Sequence, residues 1–486
     1  MIPSFFQSRP KLWKTLNWVA LLAIAFGLRL GLAIHFPNLF HPDEIFQTLE
    51  PAHRLAYGYG IITWEWLDGV RSWVFPAFLA GVMRATDWMG PGSSGYIIGT
   101  MVILSLISLS TIWFGFAWAK RASGIPAAII AAGACSIYFG LVYFAPKSLN
   151  EVVATHVLLP GLYLGVYAER IGERKRLVLA GILCGLAAML RIQLIPTIAF
   201  AAVYFCYHHW RRRIPAVLAG LSIPVLFFGL VDKITWSYPW QSCVRYYQVN
   251  LIAGHGVGSE HMPWYWYGRV LLILIGPAVL FLWHGARRSP FLAFVALAVV
   301  ATHSLIAHKE PRYIYSVLPL ALTLASIGIV DVASGLKARS ICILSPKSTI
   351  AIGLVFFSLS SISMTFMCSK WYRTNGGIAA MDRLSQDSAL CGVGIYQFPW
   401  WHTGGFAHLH RDVPMLPISD TAELLRDAPS FNALIAPLPN ASIPPGFKTT
   451  ECWNGVCLLQ REGVCTQPPP GDEVNQILKA EDDNQK

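Results

Sequence analysis

Long, nearly uncharged apolar runs follow one another from about residue 16 to about residue 367. Each approaches the roughly 20 residues that a helix needs to cross the hydrocarbon layer of a bilayer. Composition agrees, because 55% of the chain is apolar and only 13% is charged, against roughly 25% charged in an average soluble domain. An ordinary soluble enzyme is excluded, and the chain reads as an all-α polytopic membrane protein. Lys and Arg number 37 against 26 Asp and Glu, a net charge of +11. In a soluble chain that balance would suggest nucleic acid. Here the basic residues sit between apolar segments, so they report orientation, and no nucleic-acid partner is expected.

The first run, 16–34, carries no small-residue cleavage site and exceeds a signal-peptide h-region, so it counts as a span. Orientation turns on the segment 73–88. If that segment crosses the bilayer, the later charges contradict the positive-inside rule. If it lies in the interface, spans fall near 16–34, 95–118, 125–144, 152–168, 177–194, 195–209, 214–231, 268–284, 290–307, 313–332 and 349–367. Every basic cluster, from Arg9, Lys11 and Lys14 through Lys120, Arg121, Arg170, Arg174, Lys175, Arg176 and 211–213 to Arg287, Arg288, Lys337, Arg339 and Lys347, then falls on the cytoplasmic side. The expectation is about eleven spans within a transmembrane domain 1–368, with a first external loop at 35–94 and others at 145–151, 232–267 and 308–312.

Residues 369–470 are rich in Pro and Gly with short apolar runs such as 433–436, which predicts a small mixed α/β external domain with some strands. The tail 471–486 is acidic and polar and is expected to be disordered. Cys135, Cys184, Cys206, Cys243, Cys342 and Cys368 lie in or beside apolar segments and read as small packed hydrophobes. Cys391, Cys452, Cys457 and Cys465 lie in the external region, where an oxidising compartment would pair them at least in part, in one of three ways. No zinc spacing, Walker loop, Gly-rich dinucleotide turn or D-x-D is present, so no metal or cofactor is expected. No terminal dilysine is visible and the cytoplasmic loops are short, which favours a bacterial inner membrane over the endoplasmic reticulum.

The polar residues concentrate in the external loops. His41-Pro42-Asp43-Glu44 follows the first span directly and reads as a helix start, with Pro42 in the first helical position and two acids in the first turn. Helical spacing then predicts Asp43, Gln47 and Glu50 on one face. Thr63-Trp64-Glu65-Trp66 and Arg71-Ser72 follow in the same loop, where the indoles suit either a sugar ring or an interfacial belt. The second loop carries Lys147, Asn150 and Glu151, and the fourth carries His308, Lys309, Glu310 and Arg312 with almost no slack between two spans. Arg29 and Arg191 lie near the outer ends of their spans, as snorkelling cations or as markers of a substrate path. The third loop is a run of aromatics from Trp236 to Tyr267, either a surface-lying segment or a platform for a sugar or lipid headgroup. In the tail, His402, His408 and His410 lack the fixed acidic or cysteine partner of a metal site and read as ordinary polar contacts.

In this order His41-Pro42-Asp43-Glu44 with Gln47, Thr63-Trp64-Glu65-Trp66, Arg71-Ser72, and His308-Lys309-Glu310 with Arg312 resemble glycosyltransferase family 22, the Alg9-like mannosyltransferases. The form is most similar to the glycosylphosphatidylinositol (GPI) branch, and Arg29, Lys147, Asn150 and the aromatic third loop also fit. Lys147 departs from the pattern, standing where an arginine is expected. The resemblance implies a GT-C fold with its active site on the luminal or periplasmic face, a polyprenyl-phosphate-mannose donor, and a catalytic base among the first-loop acids, Asp43 or Glu44. Asp43 is the expected base, with Glu44 orienting the acceptor or the helix. His41, Gln47, Trp64, Glu65, Arg71, Lys147, Asn150, Arg191, His308, Lys309, Glu310 and Arg312 are the expected substrate contacts. Partners would be a polyprenyl-phosphate sugar, a glycolipid or lipid-linked acceptor, and membrane lipids. A transporter or flippase of a lipid-linked sugar is the rival reading, for which repeated halves would be the sign, and no internal repeat is seen. A polysaccharide ligase using a lipid-diphosphate donor is the enzymatic rival.

Overall fold

The computed structural model describes residues 9–168, 172–252, 262–341, 344–368, 373–437, 443–468 and 473–478. Arg170, Cys342, Pro469, Pro470 and the acidic end of the tail lie outside the described residues. The chain is mostly helical, and it forms two compact units, neither of them continuous in sequence.

The first unit comprises Met1–Leu32, Leu104–Phe227 and Gly254–Cys368. Among the described residues of the whole chain, six helices are long and apolar enough to cross a membrane: Asn17–His35, Ser94–Ile137, Trp210–Thr235, Trp266–Arg288, Val317–Ala338 and Pro346–Met367. Ile192–Cys206 and Pro290–Ser304 are shorter apolar helices. The run Ser94–Ile137 has 44 residues, about 66 Å of helix and more than one crossing uses. It is broken at Ser123 and at Gly124, whose φ of +80° suits glycine, just before Pro126. Val317–Ala338 is the most buried of these six, with 72% of its apolar window buried, as expected of a helix that is apolar all round. Two glycines let the helix Val279–Arg288 press against it. A Cβ at Gly285 would lie 1.9 Å from the carbonyl oxygen of Leu324, and one at Gly328 2.1 Å from that of Phe281. Small residues at such a crossing bring the two backbones into contact.

Arg29 does not snorkel. It is 1% exposed, and its guanidinium donates to the carbonyls of Cys135 at 2.8 Å and Ser136 at 2.9 Å and to Ala25 at 3.0 Å. Cys135 and Ser136 are in the last turn of the helix Ser110–Ile137, whose final carbonyls have no partner within the helix. The charge is held inside the bundle because it caps a helix end.

The second unit comprises Ala33–Ile103, Phe228–Ala253 and Ser369–Lys486. The segment 73–88 contains the helix Val74–Thr86, 13 residues long. That is about 20 Å, short of the roughly 30 Å of a hydrocarbon core. A five-stranded sheet is built from β1 (Val393–Tyr396), β2 (Met415–Ile418), β3 (Ala433–Pro437), β4 (Lys448–Trp453) and β5 (Val456–Gln460) in the order β2-β1-β3-β5-β4. β1 pairs in parallel with β2 and β3, while β5 runs antiparallel to β3 and β4. The helices Gly405–Leu409 and Thr421–Asp427 lie in the two crossovers that parallel pairing requires. Asn454 and Gly455, with φ of 47° and 85°, make the tight turn between β4 and β5. Tyr396, Leu416, Phe431, Leu434 and Leu459 form the core beside the sheet. Disulfides join Cys391 to Cys465 and Cys452 to Cys457.

Candidate active site

The expected site residues fall into two clusters, each within one unit. In the second unit, the chain turns at Pro42, where the amides of Glu44 and Ile45 donate to the carbonyls of His41 and Pro42. The helix then widens into a π-turn over Ile45–Leu49, closed by the amide of Glu50 on the carbonyl of Ile45. This i→i+5 turn departs from the 3.6-residue period on which the expected shared face of Asp43, Gln47 and Glu50 rests. Such turns cluster at functional sites. Gln47 Nε2 donates to Glu65 Oε1 at 3.1 Å. Arg71 reaches the same oxygen with Nη2 at 2.5 Å and Nε at 3.1 Å, and lies over the ring of Tyr246 at 5.5 Å. Burial pulls the Arg71 pKa down, but Glu65, Tyr246 and Asp43 raise it further, so the guanidinium stays charged. Trp236 donates to the Arg71 carbonyl at 3.1 Å and Trp66 to that of Phe46 at 2.9 Å. Two third-loop and first-loop indoles are thus structural pins, while Trp64 remains 38% exposed.

The three acids of this cluster differ in access. Glu44 and Glu65 are 7% and 8% exposed, whereas the Asp43 side chain keeps 26% and sits 3.2 Å from His41 Nδ1. Glu50 is buried entirely and accepts from the amides of Ile61 at 2.7 Å, Ala407 at 2.8 Å and Phe406 at 3.2 Å. Burial pushes its pKa up to about 7 against these bonds. Nearby on the same helix, His53 pairs with His410 at 3.0 Å, and burial takes its pKa down to about 3. His408 Nδ1 meets Asp382 at 2.7 Å, and burial with the nearby His41 lowers His402. The tail histidines are therefore shared out among separate partners. Among the described residues, no group of three His, Cys, Asp or Glu could hold a metal ion.

In the first unit, Arg191 ends the helix Glu173–Leu190, Asn150 opens the helix Asn150–Val166, and Arg312 lies in the 3₁₀ turn Pro311–Ile314. Glu151 joins them, with Arg312 Nη1 at 3.1 Å from one carboxylate oxygen and Arg191 Nη1 at 3.7 Å from the other. Glu310 takes Arg312 in a fork, Nε at 2.8 Å and Nη2 at 2.9 Å, and also accepts from Tyr313 Oη at 2.8 Å. His308 Nε2 lies 3.2 Å from the same carboxylate. Tyr313 carries the Arg191 guanidinium at 4.5 Å from its ring centre, while Arg191 Nε is buried without a hydrogen-bond partner. Lys309 Nζ donates to the carbonyl of Met262 at 3.0 Å and to that of Ile306. Burial lowers its pKa. Lys147 lies over Tyr143 at 5.4 Å. Glu151, Tyr313 and Tyr246 are the members that reading by motif did not select.

The match to the Alg9-like mannosyltransferase family covers residues 18–410. GPI mannosyltransferase 3 of Yarrowia lipolytica is 26% identical over 426 residues, 85% of this chain and 80% of that protein. GPI alpha-1,2-mannosyltransferase 3 of Mus musculus is 23% identical over 397 residues, 77% of this chain and 69% of that protein. Among solved structures, ArnT from Cupriavidus metallidurans bound to undecaprenyl phosphate superposes with a TM-score of 0.61 at 13% identity, covering 93% of this chain and 99% of that one. That likeness is one of fold.

Proposed function

The chain belongs to the Alg9-like mannosyltransferase family, and from that premise we propose that it moves mannose from a polyprenyl-phosphate donor to a lipid-linked or glycolipid acceptor on the non-cytoplasmic face of its membrane. It is an integral-membrane glycosyltransferase. The names of the relatives from Yarrowia lipolytica and Mus musculus point to a GPI intermediate as acceptor and, for the latter, to an α-1,2 linkage. Those relatives are eukaryotic, so the preference for a bacterial inner membrane finds no support in them. We place about eleven crossings in the chain, with two of them in the broken run Ser94–Ile137 and two more in the helices Asn150–Val166 and Glu173–Leu190, and an external domain at 369–470.

In this reading Asp43 takes the proton of the acceptor hydroxyl as that oxygen forms its bond to the anomeric carbon. The bond from that carbon to the phosphate oxygen breaks, its electron pair leaves on the phosphate, and the configuration inverts in one displacement. A positioned base contributes roughly 10² to 10⁴-fold. The observation that carries the assignment is access, since Glu44 and Glu65 are buried and Asp43 is not. The departing lipid phosphate gains negative charge, which cations aimed at it stabilise. Arg191, Lys309, Arg312 and Lys147 are proposed for that task. Glu151 and Glu310 hold Arg312 in one orientation, and Arg191 keeps a buried donor in hand.

Incubation of the purified protein in vesicles with radiolabelled polyprenyl-phosphate mannose and a glycolipid acceptor tests the reading. Label appearing on the acceptor is expected. Donor carried across the vesicle membrane without any transfer would replace the enzyme with a transporter.

A further inference from the structure

Beyond the crossing at Gly285 and Gly328, the ends of the helices Val279–Arg288 and Val317–Ala338 enclose a cavity of about 470 Å³ whose lining includes His284, Arg287, Arg288, Asp331, Gly335 and Arg339. Asp331 is already engaged, accepting from Arg288 Nε at 2.5 Å and lying 3.1 Å from His284 Nδ1. Arg287 and Arg339 are exposed, and neither guanidinium has an ion pair or hydrogen bond among the described residues. Three arginines against one aspartate give the cavity lining an excess of two positive charges. The helix Val279–Arg288 presents Leu280 and Trp283, 74% and 71% exposed, two turns and one turn before Arg287 on the side that Arg287 shares. An exposed indole on an apolar helix sits at the headgroup level of a bilayer, which puts the cavity at that level too. Space is open beside Gly335 in its lining, for a Cβ there would meet nothing within 4 Å.

We propose that this cavity is a headgroup site for an anionic phospholipid, its phosphate held by Arg287 and Arg339. Guanidinium groups take phosphate oxygens in paired, charge-assisted hydrogen bonds. Basic pockets between membrane helices hold lipid headgroups by the same means. The membrane supplies the ligand, and its acyl chains lie against Leu280 and Trp283 while its phosphate reaches the arginines.

Native mass spectrometry of the full chain, released from nanodiscs of equal phosphatidylserine and phosphatidylcholine, tests this. Retention of phosphatidylserine over phosphatidylcholine is expected. The double variant Arg287→Ala/Arg339→Ala should weaken that retention at least about tenfold, as loss of charged hydrogen bonds implies. Gly335→Leu, which puts a bulky side chain in the lining and leaves every charge in place, should weaken it too. Lys337→Ala, on the neighbouring turn and outside the cavity, should leave retention unchanged, and a loss as large as the double variant's would mean diffuse charge in place of a site. Equal retention of the two lipids, or an unaltered double variant, overturns the proposal. Complete displacement of phosphatidylserine by millimolar inorganic phosphate would reassign the cavity to a soluble anion and overturn the lipid as its source.

Discussion

Asp43 and Glu44 are neighbours of the same chemistry, and the structure separates them by access and not by type. Asp43→Asn keeps the size and the helix-start geometry, so a structural role predicts at most about 2 kcal/mol of lost stability. The proposed base predicts a folded protein whose turnover falls at least about 10²-fold, since an amide takes no proton. Steady-state transfer beside a thermal melt decides between them, and Glu44→Gln should be the milder of the two. A near wild-type rate in Asp43→Asn would remove it as the base and turn attention to Glu44 or Glu65. The motif 41–44 is readable because its members are adjacent. Glu151 is harder to find, because its two arginines come from distant helix ends and only the fold brings them to one carboxylate. The capping role of Arg29 is hidden from the sequence for the same reason, since the carbonyls of Cys135 and Ser136 lie more than a hundred positions away.

Elements respond to pH and to reduction in ways that can be worked out in sign. Glu50 ties the helix Glu50–Tyr57 to the first amides of the helix Gly405–Leu409. Its pKa rises from 4.5 to about 7 on folding, so its contribution favours the folded state below 4.5 and is lost as pH rises through 7. His53 does the opposite, falling from 6.5 to about 3, so its contribution is full above 6.5 and is lost as pH falls through 3. Between 4.5 and 6.5 the two slopes oppose each other. In that window Glu50→Gln should make thermal stability rise with pH relative to wild type, and His53→Gln should make it fall. Parallel curves for both variants and wild type would deny the coupling. The disulfides should also be unequal. Cys391–Cys465 closes a separation of 74 residues and Cys452–Cys457 one of 5, worth on the order of 4 and 2 kcal/mol of loop entropy. Cys391→Ser should therefore lower the melting temperature more than Cys452→Ser, as differential scanning fluorimetry would report. Apolar runs and the strand at 433–437 were legible from pattern. The β4–β5 turn carries an Asn-Gly signal at Asn454 and Gly455. The π-turn carried none, because local propensity does not distinguish i→i+5 from i→i+4.

At the scale of the whole molecule, the proposed crossings make a labelling prediction. Single cysteines at Ser94 and Ser123, flanking the first part of the run Ser94–Ile137, should react with impermeant maleimide from outside and inside respectively. Labelling of both from one face would mean that the segment 73–88 or this run has been placed wrongly. The second unit is assembled from residues 33–103, 228–253 and 369–486, which has a consequence in time. Glu50 leaves the ribosome 356 residues before Phe406, and at about 5–20 residues per second it waits roughly 20 to 70 s for the amides that will receive it. Throughout that interval the first-loop helix has its near neighbours, Ile61, Glu65 and Trp66, but not the amides of Phe406 and Ala407. A chain terminated early, even one that retained every apolar run, would keep Asp43 and leave the Glu50 carboxylate with the Ile61 amide but without those of Phe406 and Ala407.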